Sequence, residues 1–102
     1  MHLSQTEKEA LKRELAASLS SEPEVVKVVV FGSFISAVDP NDIDVAVFQN
    51  SNQPYLPLAM KYRKKTRSIA RKIPLDILPF KPGARDSLMM DAIAQGEVIY
   101  ER

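Results

Sequence analysis

The chain has no cysteine among its 102 residues, which removes disulfides, thiolate metal sites and thiol catalysis at once. Neither charge is in excess: 14 lysines and arginines against 13 aspartates and glutamates leave a formal net charge of +1. No global field therefore draws the protein to nucleic acid or to a membrane. Long apolar runs are missing too. The longest, Val25 to Phe31, is interrupted by Lys27 and falls far short of the roughly 20 residues that a bilayer span requires. The amino terminus is polar and then helical in pattern, unlike the charged-then-apolar layout of a signal peptide, so a cytoplasmic protein is expected. There is no internal repeat and no low-complexity tract. The only histidine, His2, stands at the terminus, a poor place for a catalytic group.

What is present is globular material. With 45% hydrophobic and 26% charged residues, global disorder is excluded, and the length suits a single domain over residues 1–102 with one core. Ser4-Gln5-Thr6-Glu7 and Thr6-Glu7-Lys8-Glu9 both fit a capping box, so a helix starts near one of them. Leu11, Leu15 and Leu19 give it a narrow apolar stripe, leaving Lys8, Lys12, Arg13 and Glu14 in water. Ser20 to Pro23 ends it. Val25 to Phe31 reads as a strand buried on both faces. Gly32-Ser33 breaks the strand, Phe34 to Val38 has room for a short helix, and Asp39-Pro40-Asn41 is a turn. A second strand runs from Ile43 to Phe48.

A basic helix is expected from about Pro57 to Lys72, with Leu58, Tyr62, Ile69 and Ile73 on one face. Leu75 to Leu78 reads as a third strand, with Pro74 and Pro79 at its ends. Ser87 to Ala94 is helical in pattern, with Leu88, Met89 and Ile93 toward the core and Gly96 as its stop; Glu97 to Tyr100 closes as a last strand. The order is α/β, a small mixed β-sheet with helices packed on it.

Three acids stand out within this frame. Side chains alternate along a strand, so Asp42 and Asp44 project together while Ile43, Val45 and Val47 face the other way. In the third strand Asp76 shares a face with Leu78. If the two strands are neighbours, Asp76 lies beside Asp44. A lone D-x-D beside Asp, Asn and Pro can be only a turn. An acid between Leu75 and Ile77 in a core strand is harder to dismiss, since it costs stability unless paired or ligating. Converging carboxylates need protons or a cation, and oxygen-only ligands select magnesium or manganese, with water and substrate phosphates completing the shell. Gly32 permits close approach of a phosphate, and Ser33 with the amides of a helix start can donate to it.

Phe31-Gly32-Ser33, Asp42-Ile43-Asp44 and Asp76, in that order and spacing, resemble the minimal nucleotidyltransferases, small relatives of the DNA polymerase β-type nucleotidyltransferase superfamily. The ending from Ile93 to Glu101 is similar to the family's closing helix and strand, and the resemblance runs from about Glu24 to the carboxyl terminus. It implies a nucleotidyltransferase-like fold and transfer of a nucleotidyl group, AMP from ATP, to a hydroxyl of a macromolecular acceptor, with loss of pyrophosphate. Asp42 and Asp44 would hold Mg2+ or Mn2+, Asp76 would complete one metal site and help activate the hydroxyl, and Gly32 and Ser33 would hold the triphosphate.

The resemblance also implies a setting. Many such proteins look like the antitoxin half of a two-gene pair whose partner is a HEPN-type toxin ribonuclease, and the acceptor hydroxyl can lie on that partner. Larger relatives hold the acceptor on a second domain; here a partner, a second copy in a homo-oligomer or an open cleft would do so. One departure is visible. The family often follows Gly-Ser with a small residue, an arginine and a second glycine, whereas Phe34-Ile35-Ser36-Ala37 has neither the arginine nor the glycine. The competing reading is therefore an antitoxin-like module that keeps the fold and acts on its partner by contact alone.

Two other features have bland explanations. The cations from Lys61 to Lys72 could meet a triphosphate, RNA or an acidic partner, but charge runs usually solvate a helix face. Met89-Met90 suits core or interface filling better than a cofactor.

Overall fold

A computed structural model describes residues 3–84 and 89–102. Helix α1 (Gln5–Ser20) begins at Ser4, whose hydroxyl accepts from the Glu7 amide while the Glu7 carboxylate accepts from the Ser4 amide, so the first of the two candidate boxes caps it. Strand β1 (Val25–Phe31) leads through Gly32 into the single-turn helix α2 (Ser33–Ser36), and β2 covers Ile43–Gln49.

The basic segment is not one helix. It divides into α3 (Tyr55–Lys65) and α4 (Arg67–Ala70) at Thr66, whose hydroxyl donates to the Tyr62 carbonyl at 2.8 Å. Such back-bonding from a β-branched residue competes with the helix ladder and bends it. Leu58, Tyr62, Ile69 and Ile73 are all buried across the break, as their spacing requires. Strand β3 (Leu75–Phe80) is longer than expected and runs through Pro79. Helix α5 is Met89–Ala94 and strand β4 is Glu97–Glu101.

The sheet order is β3-β2-β1-β4, with β1 antiparallel to β2 and β4, and β2 parallel to β3. Strand β3 is thus an edge, where a proline lacking a backbone N–H is tolerated. One face of the sheet, with Val28, Val30, Val45, Val47 and Ile77, packs against the leucine stripe of α1, Leu58 and Tyr62 of α3, and Ile69 of α4. Full burial of such side chains contributes about 1.5–3 kcal/mol each, which makes this face the main core. The other face carries a smaller cluster of Val29, Phe31 and Ala46, covered by Ile93 of α5 and flanked by Phe48, Leu78 and Phe80.

Several expectations need correction. Lys12 is buried, with its ammonium 2.9 Å from Glu97 of β4 and 2.9 Å from Glu9; Lys8 and Glu14 are half-buried. Met89 is exposed, while Ile93 makes the core contact expected of it. The proposed helix start at Ser87 and the contact at Leu88 lie outside the described residues, as does His2.

Candidate active site

The carboxylates are set by register. Residue Asp44 of β2 pairs across the ladder with Asp76 of β3 on one side and with Phe31 of β1 on the other. Asp44, Ala46 and Phe48 alternate onto the sheet face covered by α5, and Asp76, Leu78 and Phe80 do the same on β3. Asp42 immediately precedes β2. Its Oδ1 accepts a long 3.4 Å hydrogen bond from the Ser33 hydroxyl, so the Gly-Ser turn and the D-x-D segment are joined directly.

Burial pushes the Asp44 carboxyl above the usual carboxylate range, and repulsion from Asp42 and then Asp76 adds to the effect. Both neighbours are therefore close enough to be felt. Asp42 and Asp44 are half-buried, but Asp76 is exposed. This corrects the expectation of an acid in a core strand: β3 is an edge, so burial does not demand a partner for Asp76, and its placement beside Asp44 is what makes it informative.

Gly32 shapes the wall facing these acids. It has φ +78° and ψ −151°, a conformation that L side chains rarely adopt. A Cβ added there would stand 2.5 Å from Asp44 Oδ2, inside any permissible contact. The turn thus brings bare backbone against the carboxylate, through the one residue type that both the dihedral and the space allow.

One participant in this architecture escaped the sequence reading. Lys8 of α1 donates to the carbonyl of Ala37, the C-cap of α2, at 2.7 Å, and its ammonium lies 5.7 Å from the centre of the Phe34 ring. It braces the short helix after the Gly-Ser turn from α1, 29 residues away in the sequence. No local pattern announces it, because a helical lysine beside polar neighbours looks solvated.

Among the described residues, no three acidic or histidine side chains already enclose a metal site. The donor set nevertheless fits a hard cation. Magnesium is held by one or two carboxylates with water and substrate phosphates in the remaining positions, so a closed protein cage is not required. The mutual repulsion felt by Asp44 is the electrostatic counterpart of that fit.

The family model described as polymerase beta, nucleotidyltransferase, matches residues 13–102. The chain belongs to this nucleotidyltransferase family. Nucleotidyltransferases of the family generally use a divalent metal, in keeping with the oxygen donors above.

Solved structures agree on the fold. A complex of tri-AMPylated Shewanella oneidensis HEPN toxin with MNT antitoxin matches with a TM-score of 0.68 and 16% identity, over 93% of this chain and 73% of that one. A toxin–antitoxin structure with AMP-PNP matches with a TM-score of 0.69 and 19% identity, over 89% and 73% of the two chains. A Sulfolobus solfataricus protein provisionally named a nucleotidyltransferase gives 0.57 and 18%, over 93% and 80%. No curated protein matches the sequence. No helix among the described residues is long and apolar enough to cross a membrane.

Proposed function

We propose that this nucleotidyltransferase moves AMP from ATP to a hydroxyl of a macromolecular acceptor, and that the acceptor is a HEPN-type protein partner. The observation that carries the reading is the seating of Gly32 against Asp44, with Asp76 in register beside it. Two solved relatives in fold point the same way: one holds an AMPylated HEPN toxin, the other AMP-PNP.

Gly32 seats bare backbone against Asp44, and the Ser33 hydroxyl, whose side-chain bond among the described residues is a long one to Asp42, would turn toward a triphosphate oxygen. Asp42 and Asp44 would hold Mg2+ or Mn2+, and Asp76 would share that charge and orient the attacking hydroxyl. The bound cation would neutralise the triphosphate and favour departure of pyrophosphate. Asp76, on the exposed edge strand, is the carboxylate that an acceptor arriving from outside can reach.

Calorimetric titration of ATP with magnesium tests the site. Wild type is expected to bind saturably, and Asp42→Asn/Asp44→Asn to lose the metal-dependent part. Mass spectrometry of the partner after incubation with ATP then tests transfer, as addition of AMP. Absence of nucleotide binding by folded wild type would reject the reading. The missing arginine and second glycine after Gly32-Ser33 would then count as disabling, leaving a contact-only module.

A further inference from the structure

The cations between Lys61 and Lys72 have no part in the carboxylate site, and the structure sorts them by partner. Lys61 contacts Glu24 at 2.8 Å, Lys65 lies 3.9 Å from Glu22, and Lys72 lies 3.1 Å from Glu14. Arg63, Lys64, Arg67 and Arg71 make no ion pair within the described residues. Of these, Arg63, Lys64 and Arg67 line one open groove of about 680 Å³, together with Pro57, Met60 and Leu75.

The groove is not only charged. Met60 is 59% exposed, and Leu56, one turn earlier on the same helix face, is 62% exposed. Solvating charges need no such apolar neighbours, and methionine is the side chain best able to adapt to an incoming surface. The groove reaches Leu75, the residue before Asp76, on the open edge of the sheet. Leu75 turns to the α3–α4 side of the sheet and Asp76 to the other, so a chain leaving the groove reaches the exposed carboxylate by crossing the open edge of β3.

We infer that this groove docks an acidic segment of a partner protein, anchored by apolar side chains, and that this partner presents the acceptor hydroxyl. The second clause rests on the nucleotidyl-transfer reading; the first does not. Charge complementarity selects the acidic segment, because three unpaired cations meet it at one rim while Met60 and Leu75 take its apolar contacts. Nucleic acid suits the groove less well. Among the described residues, no aromatic side chain lines it for base stacking.

The probe is a short fluorescein-labelled peptide with Leu at i, i+4 helical spacing and Glu at the remaining positions, followed by fluorescence anisotropy. Saturable binding is expected, weakened at least about tenfold by Lys64→Glu/Arg67→Glu. Arg13→Glu/Arg102→Glu changes net charge equally at exposed sites elsewhere and is expected to bind as wild type does. Met60→Asp, with every cation retained, is expected to weaken binding as well. Circular dichroism confirms that each variant is folded.

No saturable binding would overturn the proposal, as would equal weakening by the Arg13/Arg102 control. So would tighter binding of oligouridylate at the same groove, which would make it a nucleic-acid surface. Asp42→Asn/Asp44→Asn is expected to lose nucleotide binding and retain the peptide. Docking and catalysis are thus read separately, and loss of the peptide in that variant would overturn a groove independent of the carboxylates.

Discussion

A Cβ on Gly32 would sit 2.5 Å from Asp44 Oδ2, so glycine at the end of β1 and aspartate at the start of β2 are a single steric unit. Any side chain at position 32 must displace the Asp44 carboxylate. Gly32→Ala combines that clash with a positive φ and extended ψ that are essentially confined to glycine, which costs about 1–3 kcal/mol before any contact is counted. The expected outcome is a lower melting temperature together with loss of ATP binding, read by thermal melting and calorimetry on the same sample.

Asp44 carries a pH dependence whose sign follows from its environment. Burial, then Asp42 and Asp76, raise its folded-state pKa above the unfolded value. Its contribution to stability is thus fully present below the unfolded pKa and is lost as pH rises through the folded one. Without divalent cation, Asp44→Asn should gain melting temperature over wild type as pH rises from the acid range to neutrality. Added magnesium should raise the melting temperature of wild type and leave the variant unmoved. A variant that melts below wild type at neutral pH in EDTA would contradict this account.

The opposite sign is expected at Glu24. Burial raises its pKa, but the Lys61 ammonium at 2.8 Å, a backbone hydrogen bond and the Tyr62 hydroxyl at 2.8 Å outweigh it and hold the carboxyl below its ordinary range. Its stabilising contribution is present above the unfolded pKa and is lost as pH falls through the depressed folded one. Glu24→Gln should therefore destabilise the protein at neutral pH and reduce the dependence of melting temperature on pH in the acid limb. Acid titrations of the two proteins followed by circular dichroism would show the difference.

Lys8 tests whether α2 must be braced from outside. Lys8→Met keeps the apolar stem against Phe34 but removes the donor to Ala37. A part-buried hydrogen bond of this kind contributes about 1 kcal/mol, so the loss of stability should be small. Affinity for ATP should fall severalfold, because the Gly-Ser turn is the other end of the same single-turn helix. Lys8→Arg should restore both quantities; equal ATP affinity in Lys8→Met would show that the turn holds itself.

The sequence by itself determined the strand–turn–strand unit and the three acids, because its signals are local. A β-branched run, a Gly-Ser break and an alternation of period two specify Val25 to Asp44 without reference to the rest of the chain. The leucine stripe of α1 and the buried face shared by α3 and α4 were legible for the same reason. Tertiary structure decided what depends on neighbours distant in sequence. The bend at Thr66, Pro79 inside a strand and the exposure of Asp76 follow from back-bonding and from the position of β3 at the sheet edge. Lys12 was read as solvated because nothing near it in sequence announces Glu97, 85 residues away, as its partner. The same holds for the pairing of Asp44 with Asp76. Alternation selects the face of each strand, but only the parallel register of β2 with β3 brings the two carboxylates side by side.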